Sequence, residues 1–395
     1  MQESLSRVNK SHVTSGLWYS STLEDSGRSN QIGRLASPSL CSTMAHACPA
    51  LCPCELGRFR VNAVVTLTPA PVLDRTYLAE TLTAGKVNRA YEVHEYMSGK
   101  GLNVARTLHL AKQPVAAILP IGMQDQYLLF STPFPQILRI MPVAGRVRVN
   151  TTVVERGGRT TNINQNPYPF SADDWRSVVE LTLEQVSDMS ADWLVVSGMH
   201  PKMSEDGQPI DLTELFDRAR ELGARVGLDT SGPELMHWSR SGHVNLIKPN
   251  ADELASLVGR PLATLGEAID AGRELIDAGI EIALVSLGGD GALGITADEV
   301  VWGRAKAPAV INTTGAGDAF MAGFLSSVIH TDANRDHSEL APLDLRAGIA
   351  NACSWGALAV SLPTTLISSF ITAPTTEILD VDRAYELTEP ASPRF

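Results

Sequence analysis

The chain has 395 residues, of which 44% are apolar and 19% are charged. These proportions are typical of a globular protein and favour neither a disordered nor a fibrous chain. The formal net charge of −12 argues against a protein that mainly binds nucleic acid, because such binding depends on clustered Lys and Arg. The chain has no apolar run of about 18 residues and no basic-then-apolar start, so we expect a cytoplasmic protein with no membrane partner.

Residues 1–58 differ in composition from the rest of the chain. They are rich in Ser, Asn, Gly and Pro and show no sustained helical or strand period, which predicts a poorly ordered N-terminal extension. Four of the five cysteines lie there, but the spacing of Cys48, Cys52 and Cys54 matches no common zinc site. We therefore expect one folded domain over residues 59–385, followed by a C-terminal tail, 386–395.

Short apolar runs alternate with helix-length segments through most of the expected domain. Such runs suit strands that are buried on both faces, and their alternation with helices predicts an α/β fold with a doubly wound, mostly parallel sheet. The predicted strands are 61–68, 115–120, 193–197, 225–229, 244–247 and 282–286, and the predicted helices include 102–112 and 319–329. Residues 75–98 break this pattern with polar, β-prone segments, which predict a small β-sheet lid together with neighbouring strands.

A glycine-rich turn, Thr314-Gly315-Ala316-Gly317-Asp318, follows an apolar stretch that predicts a strand, and it opens a predicted helix. Glycines at such a junction let the backbone turn tightly and direct several N–H groups at one anion. We interpret the turn as a phosphate site in which Asp318 removes a proton from an attacking hydroxyl group. The alternative is that Asp318 only caps the helix.

A second glycine motif, Ser98-Gly99-Lys100-Gly101-Leu102-Asn103, lies between the predicted lid and a predicted helix. Its glycines permit close approach of the backbone, Lys100 supplies a positive charge for a phosphate, and Asn103 can bind sugar hydroxyls. A glycine-rich turn with a solvated lysine is the alternative for this fragment alone.

The two motifs, in this order, resemble the two signatures of the ribokinase-like PfkB family of carbohydrate kinases. Thr66-Leu67-Thr68-Pro69-Ala70, Asp74 and Arg148-Val149-Asn150 resemble its branch of 1-phosphofructokinases and tagatose-6-phosphate kinases. The resemblance extends over residues 61–381. It implies an ATP-dependent, Mg²⁺-dependent kinase for fructose 1-phosphate, with tagatose 6-phosphate and fructose 6-phosphate as alternative acceptors.

The resemblance also implies roles for individual residues. Asp318 would be the base, and the backbone of Gly315, Ala316 and Gly317 would hold the transferring phosphoryl group. Lys100 and Arg148 would together hold the acceptor phosphate, and Glu253 would act on Mg²⁺ through water. The remaining sugar-binding residues would be Asp74, Gly99, Gly101 and Asn103, and the nucleotide-binding residues would be Lys248, Asn250, Ser286, Leu287, Gly288, Gly289, Asp290, Gly291 and Thr314.

Several of these positions have simpler interpretations. Arg148 can be a solvated strand arginine, Asn250 and Glu253 can form a capping box, and residues 286–291 can form a plain hairpin turn. The sugar side also departs from the family pattern at Thr68, at Val147 and in residues 122–142 and 197–203. A catalytically impaired sugar-phosphate-binding homologue is therefore the alternative from another functional class. A homodimer formed through the lid is a further expectation.

Overall fold

A ten-stranded sheet forms the centre of the computed structural model, which describes residues 63–328, 343–362, 364 and 366–394. The predictions for residues 1–58, including those for the clustered cysteines, lie outside the described residues. The strands of this sheet are β1 (Val64–Leu67), β4 (Val115–Gly122), β5 (Leu138–Val143), β8 (Trp193–Ser197), β9 (Arg225–Asp229), β10 (Leu246–Ile247), β12 (Ile282–Ser286), β13 (Ala292–Ile295), β14 (Val300–Ala305) and β15 (Thr376–Leu379).

The strand order is β15-β14-β13-β12-β10-β9-β8-β1-β4-β5. From β12 to β5 neighbouring strands run parallel, whereas β13, β14 and β15 extend one edge in antiparallel fashion. The central strands β1, β4 and β8 are buried along their whole length, as continuous apolar runs require when helices cover both faces. The predicted mostly parallel α/β fold is confirmed.

Eight α-helices cover this sheet within the described residues. Helices α1, α7 and α8 contribute to the hydrophobic core on one face, and α2 to α6 contribute to the core on the other. The helices are α1 (Lys100–Leu110), α2 (Ala172–Asp188), α3 (Thr213–Glu221), α4 (Gly232–Trp238), α5 (Ala251–Val258), α6 (Leu265–Asp277), α7 (Ala316–Val328) and α8 (Leu345–Val360). In this described part, none of the helices is long and apolar enough to cross a membrane.

The predicted lid is a separate four-stranded sheet. Its strands are β2 (Val72–Ala79), β3 (Ala90–Ser98), β6 (Arg148–Glu155) and β7 (Thr160–Asn164). They are ordered β3-β2-β6-β7, with β2 and β6 parallel and the two outer pairs antiparallel. Because β3 ends where α1 begins, the second glycine motif joins the lid to helix α1, which packs on the main sheet.

The structure corrects two expectations about local structure. The apolar stretch before Thr314 is not a strand, since β14 ends at Ala305 and Val310 and Ile311 are exposed. The predicted tail, 386–395, instead contains β16 (Glu386–Ala391), which pairs antiparallel with β11 (Leu262–Thr264). The C-terminal segment is therefore part of the folded domain.

Residues 122–142, which depart from the family pattern, form two 3₁₀ helices (Met123–Ser131 and Pro135–Ile137) and then most of β5. Asp125 anchors the first of them, because its buried carboxylate accepts two hydrogen bonds of 2.9 Å from Arg146 Nε and one of 2.7 Å from Val147 N. This contact fixes the residues that immediately precede Arg148.

Candidate active site

The candidate active site lies at the carboxyl ends of the parallel strands. Ser197, Asp229 and Ser286 end β8, β9 and β12, while Thr68 follows β1 and Lys248 follows β10. Helices α1 and α7 begin at the same edge, since their first turns contact these residues. In open α/β sheets ligands bind in the crevice outside the carboxyl ends of the strands, so this edge is the expected place for a site.

Asp318 lies in the first turn of α7 and is buried. Asn103 of α1 donates a hydrogen bond from Nδ2 to Asp318 Oδ2 at 2.9 Å. Burial, together with repulsion from the Asp229 carboxylate, raises the pKa of Asp318 to about 6, against the attraction of Lys100. A carboxylate with a pKa near neutrality is suited to accept a proton from a hydroxyl group.

Two lysines share one buried carboxylate beside Asp318. Lys100 Nζ donates to Asp229 Oδ1 at 3.0 Å, and Lys248 Nζ lies 3.4 Å from the same oxygen. Burial works to raise the pKa of Asp229, but the two ammonium groups outweigh it and lower the pKa. Burial also works to lower the pKa of Lys100, but Asp229 and Asp318 outweigh it and raise the pKa. Lys100 therefore keeps its positive charge in the site.

The first glycine motif turns the chain into α7. Gly315 adopts a φ of +83°, a left-handed conformation that favours glycine. A Cβ on Gly317 would lie 3.0 Å from Lys248 Nζ, so the lysine lies directly over the backbone of the motif. Asn312 Oδ1 accepts a hydrogen bond from Thr314 N at 3.0 Å and stabilises the turn. A helix N-terminus with a lysine beside it can hold a phosphate.

The glycines of the second motif let α1 approach the end of β1. A Cβ on Gly99 would lie 2.6 Å from Thr68 Cγ2, and one on Gly101 would lie 2.7 Å from Thr68 Oγ1. Thr68 Oγ1 accepts from Leu102 N at 2.9 Å, which supplies the cap that the N-cap residue Gly99 cannot supply. Thr68, one of the departures from the family pattern, therefore stabilises the helix that carries Lys100.

Asp74 and Arg148 form the lid side of the site. Asp74 of β2 faces Asn150 of β6, whose Nδ2 donates to Asp74 Oδ1 at 3.3 Å. Burial raises the pKa of Asp74, although hydrogen bonds from Ser98 and Asn150 and the charge of Arg148 oppose the rise. Arg148 donates from Nε to Ala70 O at 3.3 Å, and burial lowers its pKa. Arg148 is thus a partly buried cation, not the solvated strand arginine of the simpler interpretation.

Lys100 and Arg148 have different protein partners, and their joint binding of the acceptor phosphate stays a prediction. Lys100 pairs with Asp229, whereas the acidic group that acts on Arg148 is Asp74. Arg148 Nη1 also lies 3.4 Å from Met199 Sδ. Each cation lies near a carboxylate of opposite charge, Lys100 next to Asp229 and Asp318, and Arg148, at the start of the lid strand β6, next to Asp74.

A chain of polar side chains connects these two parts of the site. Asn103 Nδ2 donates to Asp318 Oδ2 and lies 3.4 Å from Ser98 Oγ, and Ser98 in turn hydrogen-bonds to Asp74. Ser98 is the last residue of the lid strand β3, while Asn103 belongs to α1. Hydrogen bonds therefore join the lid strand β3 to Asp318 through α1.

The predicted nucleotide-binding segments lie side by side. Asn250 and Glu253 form a capping box at the start of α5, with reciprocal hydrogen bonds of 2.9 Å, so this simpler interpretation is confirmed. Asn250 also forms a parallel bridge with Ser286. Leu287 N donates to Gly291 O at 2.8 Å, which closes a hairpin turn between β12 and β13.

The side chain of Asp290, within the predicted nucleotide loop, contacts the C-terminal segment. Its Oδ1 accepts from Tyr385 Oη at 2.8 Å and from Thr388 Oγ1 at 2.6 Å, and its Oδ2 accepts from Thr388 N at 2.7 Å. Burial works to raise the pKa of Asp290, but these hydrogen bonds outweigh it and lower the pKa. The Asp290 carboxylate thus holds the C-terminal segment, and the nucleotide contact of the 286–291 loop stays a prediction.

Mg²⁺ would have to be held with few protein ligands. Among the described residues, no group of three or more His, Cys, Asp or Glu side chains is arranged to hold a metal. Glu253 Oε2 is part of the capping box, but the Glu253 charge still acts on Lys100 and so lies near the site. A single carboxylate fits Mg²⁺, which usually keeps several waters and binds mainly to nucleotide phosphates.

Several buried polar atoms of the site have no hydrogen-bond partner within the described part of the chain. They are Asn103 Oδ1, Ser197 Oγ and Asp229 Oδ2. Buried polar groups are normally paired, so these atoms suit a ligand that brings hydroxyl groups. Sequence reasoning missed Ser197 and Asp229, although both end predicted strands, and the position at the carboxyl ends of parallel strands could have revealed them.

Comparison with known proteins agrees with this geometry. The model of the pfkB family carbohydrate kinases matches residues 67–368. The chain belongs to the pfkB family of carbohydrate kinases. The 1-phosphofructokinase of Bacillus subtilis is 30% identical over 270 residues, which are 67% of this chain and 85% of that protein. The 1-phosphofructokinase of Haloferax volcanii is 32% identical over 271 residues, which are 68% of this chain and 84% of that protein.

Solved structures of pfkB kinases have the same fold. Phosphofructokinase-2 from Escherichia coli, in complex with potassium, superposes with a TM-score of 0.65 at 25% identity and covers 78% of this chain and 96% of that chain. A possible 1-phosphofructokinase from Thermotoga maritima superposes with a TM-score of 0.63 at 22% identity and covers 81% of this chain and 100% of that chain. The predicted family is confirmed, and with it a phosphotransferase that uses ATP to phosphorylate a sugar hydroxyl.

Proposed function

We propose that this pfkB kinase phosphorylates a sugar phosphate, with fructose 1-phosphate as the favoured acceptor and fructose 1,6-bisphosphate as the product. The single observation that carries the proposal is a series of hydrogen-bonded side chains that runs from Asp318 through Asn103 and Ser98 to Asp74. Arg148 lies next to Asp74. The series joins a base to a cation that can receive a phosphate already on the acceptor. The relatives named 1-phosphofructokinase support the choice among sugar phosphates.

In the proposed reaction the acceptor hydroxyl lies next to Asp318, which takes its proton as the oxygen attacks the γ-phosphate of ATP. The backbone N–H groups at Gly315, Ala316 and Gly317 stabilise charge on the transferring phosphoryl group, because they are fixed in place before the reaction. Lys248, which lies over Gly317, adds a positive charge at the same point.

Glu253 is the proposed protein contact for Mg²⁺, through water. When bound, Mg²⁺ neutralises charge on the nucleotide phosphates. Asn250, Ser286 and the hairpin after it form the proposed surface for the nucleotide, because the capping box and the bridge to Ser286 fix their positions relative to α5.

The lid is the proposed contact between two copies of the chain. Val87, Tyr91, Val93 and Ile163 are exposed large apolar side chains of the lid region, with β3 at an open edge of its sheet. An open strand edge with apolar side chains is a ready surface for pairing. Light scattering of the full chain should give the mass of a dimer, and a monomer mass at micromolar concentrations would refute the lid contact.

The phosphate preference is tested at Arg148. Replacing Arg148 with Met keeps much of the volume and removes the guanidinium group, so kcat/KM for fructose 1-phosphate should fall by roughly 10-fold to 100-fold, the size expected for a charge-assisted hydrogen bond. The measurement is kcat/KM of the wild type and of Arg148→Met in steady-state kinetics with fructose 1-phosphate, fructose 6-phosphate, tagatose 6-phosphate and fructose.

The matched control is Arg176→Met, which removes an exposed arginine of α2 that pairs with Asp173. That variant should behave like the wild type with every acceptor. Unphosphorylated fructose should be a very poor substrate, and Arg148→Met should not change its turnover. Equal losses with fructose and with the sugar phosphates would refute the role of Arg148.

The pKa of Asp318 predicts a pH profile. Because the base must be deprotonated, kcat/KM should rise with pH through an apparent pKa of about 6 and level off above it. Measurement of kcat/KM for the acceptor between pH 5 and 8 is the test, with stability checked at each pH. An apparent pKa in the ordinary carboxylate range would contradict the prediction that the buried environment of Asp318 sets the pH profile.

A further inference from the structure

The C-terminal segment contacts the proposed nucleotide side of the site at two places. The first is Asp290, in the hairpin turn between β12 and β13, which receives hydrogen bonds from Tyr385 and Thr388. Arg304 of β14 donates from Nη2 to Tyr385 Oη at 2.7 Å and lies 3.6 Å from Asp290 Oδ1. Trp302 Nε1 donates to Asp290 O at 2.9 Å. The turn is thus held from β14 and from the C-terminal segment.

The second contact is the first turn of α5. Ser392 N donates to Asp252 Oδ1 at 3.1 Å, and Arg394 Nη2 lies 2.5 Å from Asp252 Oδ2. Arg394 N also donates to Ser256 Oγ at 2.9 Å. Asp252 stands between Asn250 and Glu253, the residues proposed to face the nucleotide and Mg²⁺, so the same short segment reaches both predicted nucleotide-binding elements.

Between these two contacts the segment is itself fixed to the domain. Strand β16 pairs with β11, and Leu387 and Ala391 of β16 are buried in the core. Leu265 N donates to Tyr385 O at 2.9 Å at the start of α6. A strand anchored in this way can transmit its position to Asp290 and Asp252, because neither end of it is free to move independently.

We infer that the C-terminal segment 385–394 sets the geometry of the nucleotide site, with Asp290, Tyr385 and Thr388 as positioning residues. The inference rests on the proposed nucleotide surface. These side chains do not touch the nucleotide, because Asp290 is directed at β16, and they act by holding the 286–291 turn against α5. Loss of their hydrogen bonds should weaken nucleotide binding and leave the lid side of the site, around Asp74 and Arg148, unchanged.

The test is the double variant Tyr385→Phe/Thr388→Val, which removes two hydroxyl groups and keeps the shape of both side chains. KM for ATP should rise about tenfold, since two hydrogen bonds to a carboxylate are lost, while KM for the acceptor should stay within about twofold. Calorimetric titration with ATP in the absence of acceptor should show the same loss of affinity. Thr388→Ser, which keeps a hydroxyl, should retain wild-type affinity.

Arg383→Ala is the matched control, because Arg383 lies in the same part of the chain and its side chain makes an exposed ion pair with Asp270. It should leave both KM values unchanged. If the double variant does not fold, Tyr385→Phe alone should still raise KM for ATP by about threefold. Equal rises in both KM values, or a fall in melting temperature with unchanged ATP affinity, would overturn the inference. If wild-type protein binds no ATP, the proposed function fails together with the inference. If wild-type protein and the double variant bind ATP equally well, the inference alone fails.

Discussion

Replacement of Asp318 by asparagine should lower kcat by at least about 100-fold, the contribution usual for a positioned general base. The amide keeps the size of the side chain and can still meet Asn103, but it cannot take a proton from the acceptor. Removal of the charge also relieves repulsion with Asp229, so the variant should be at least as stable as the wild type. Steady-state kinetics and a thermal melt measure the two quantities.

Asp277→Asn is a suitable control, since Asp277 is an exposed residue at the end of α6. It should leave kcat unchanged. ATP affinity should be retained in Asp318→Asn, because proton removal is lost and not nucleotide docking. Near-normal turnover by the Asp318 variant would refute its assignment as the base and would favour its alternative role as a helix cap.

Replacement of Asp229 by asparagine should cost about 3 kcal/mol or more of the free energy of unfolding, because breaking a buried ion pair leaves an uncompensated charge. Most of the cost should come from Lys248, which is buried with a side chain 7% exposed, whereas Lys100 is 40% exposed and partly screened by solvent. Urea denaturation at neutral pH is the measurement.

A second substitution tests the cause of this loss. Adding Lys248→Met to Asp229→Asn removes the stranded charge and should restore part of the lost stability, although activity should stay low. A destabilisation of Asp229→Asn below about 1 kcal/mol, or no recovery in the double variant, would show that the buried lysine is not the source.

The sequence predicted the main sheet because its strands are continuous apolar runs. Residues 193–197, 225–229 and 282–286 form strands over the predicted ranges, since burial on both faces leaves this pattern in the sequence. The same rule failed before Thr314, where Val310 and Ile311 are apolar but exposed. Apolar character alone does not distinguish a buried strand from a surface loop.

The site could be predicted where its residues are adjacent in sequence. The glycine motifs of residues 98–103 and 314–318 are local, and backbone geometry explains why they need glycine. Contacts between distant residues left no such pattern. Asp290 and Tyr385 are 95 residues apart, and Lys100 and Asp229 are 129 apart. Only the fold shows that Asp290 binds the C-terminal strand and that Lys100 pairs with Asp229.

The most direct test of the proposed activity is phosphorus NMR of the full chain with MgATP and fructose 1-phosphate. The account predicts that ADP and fructose 1,6-bisphosphate accumulate in equal amounts, and that both accumulate at least about 100-fold more slowly with Asp318→Asn. Release of inorganic phosphate with unchanged fructose 1-phosphate, or phosphorylation of free fructose in preference to every sugar phosphate, would contradict it.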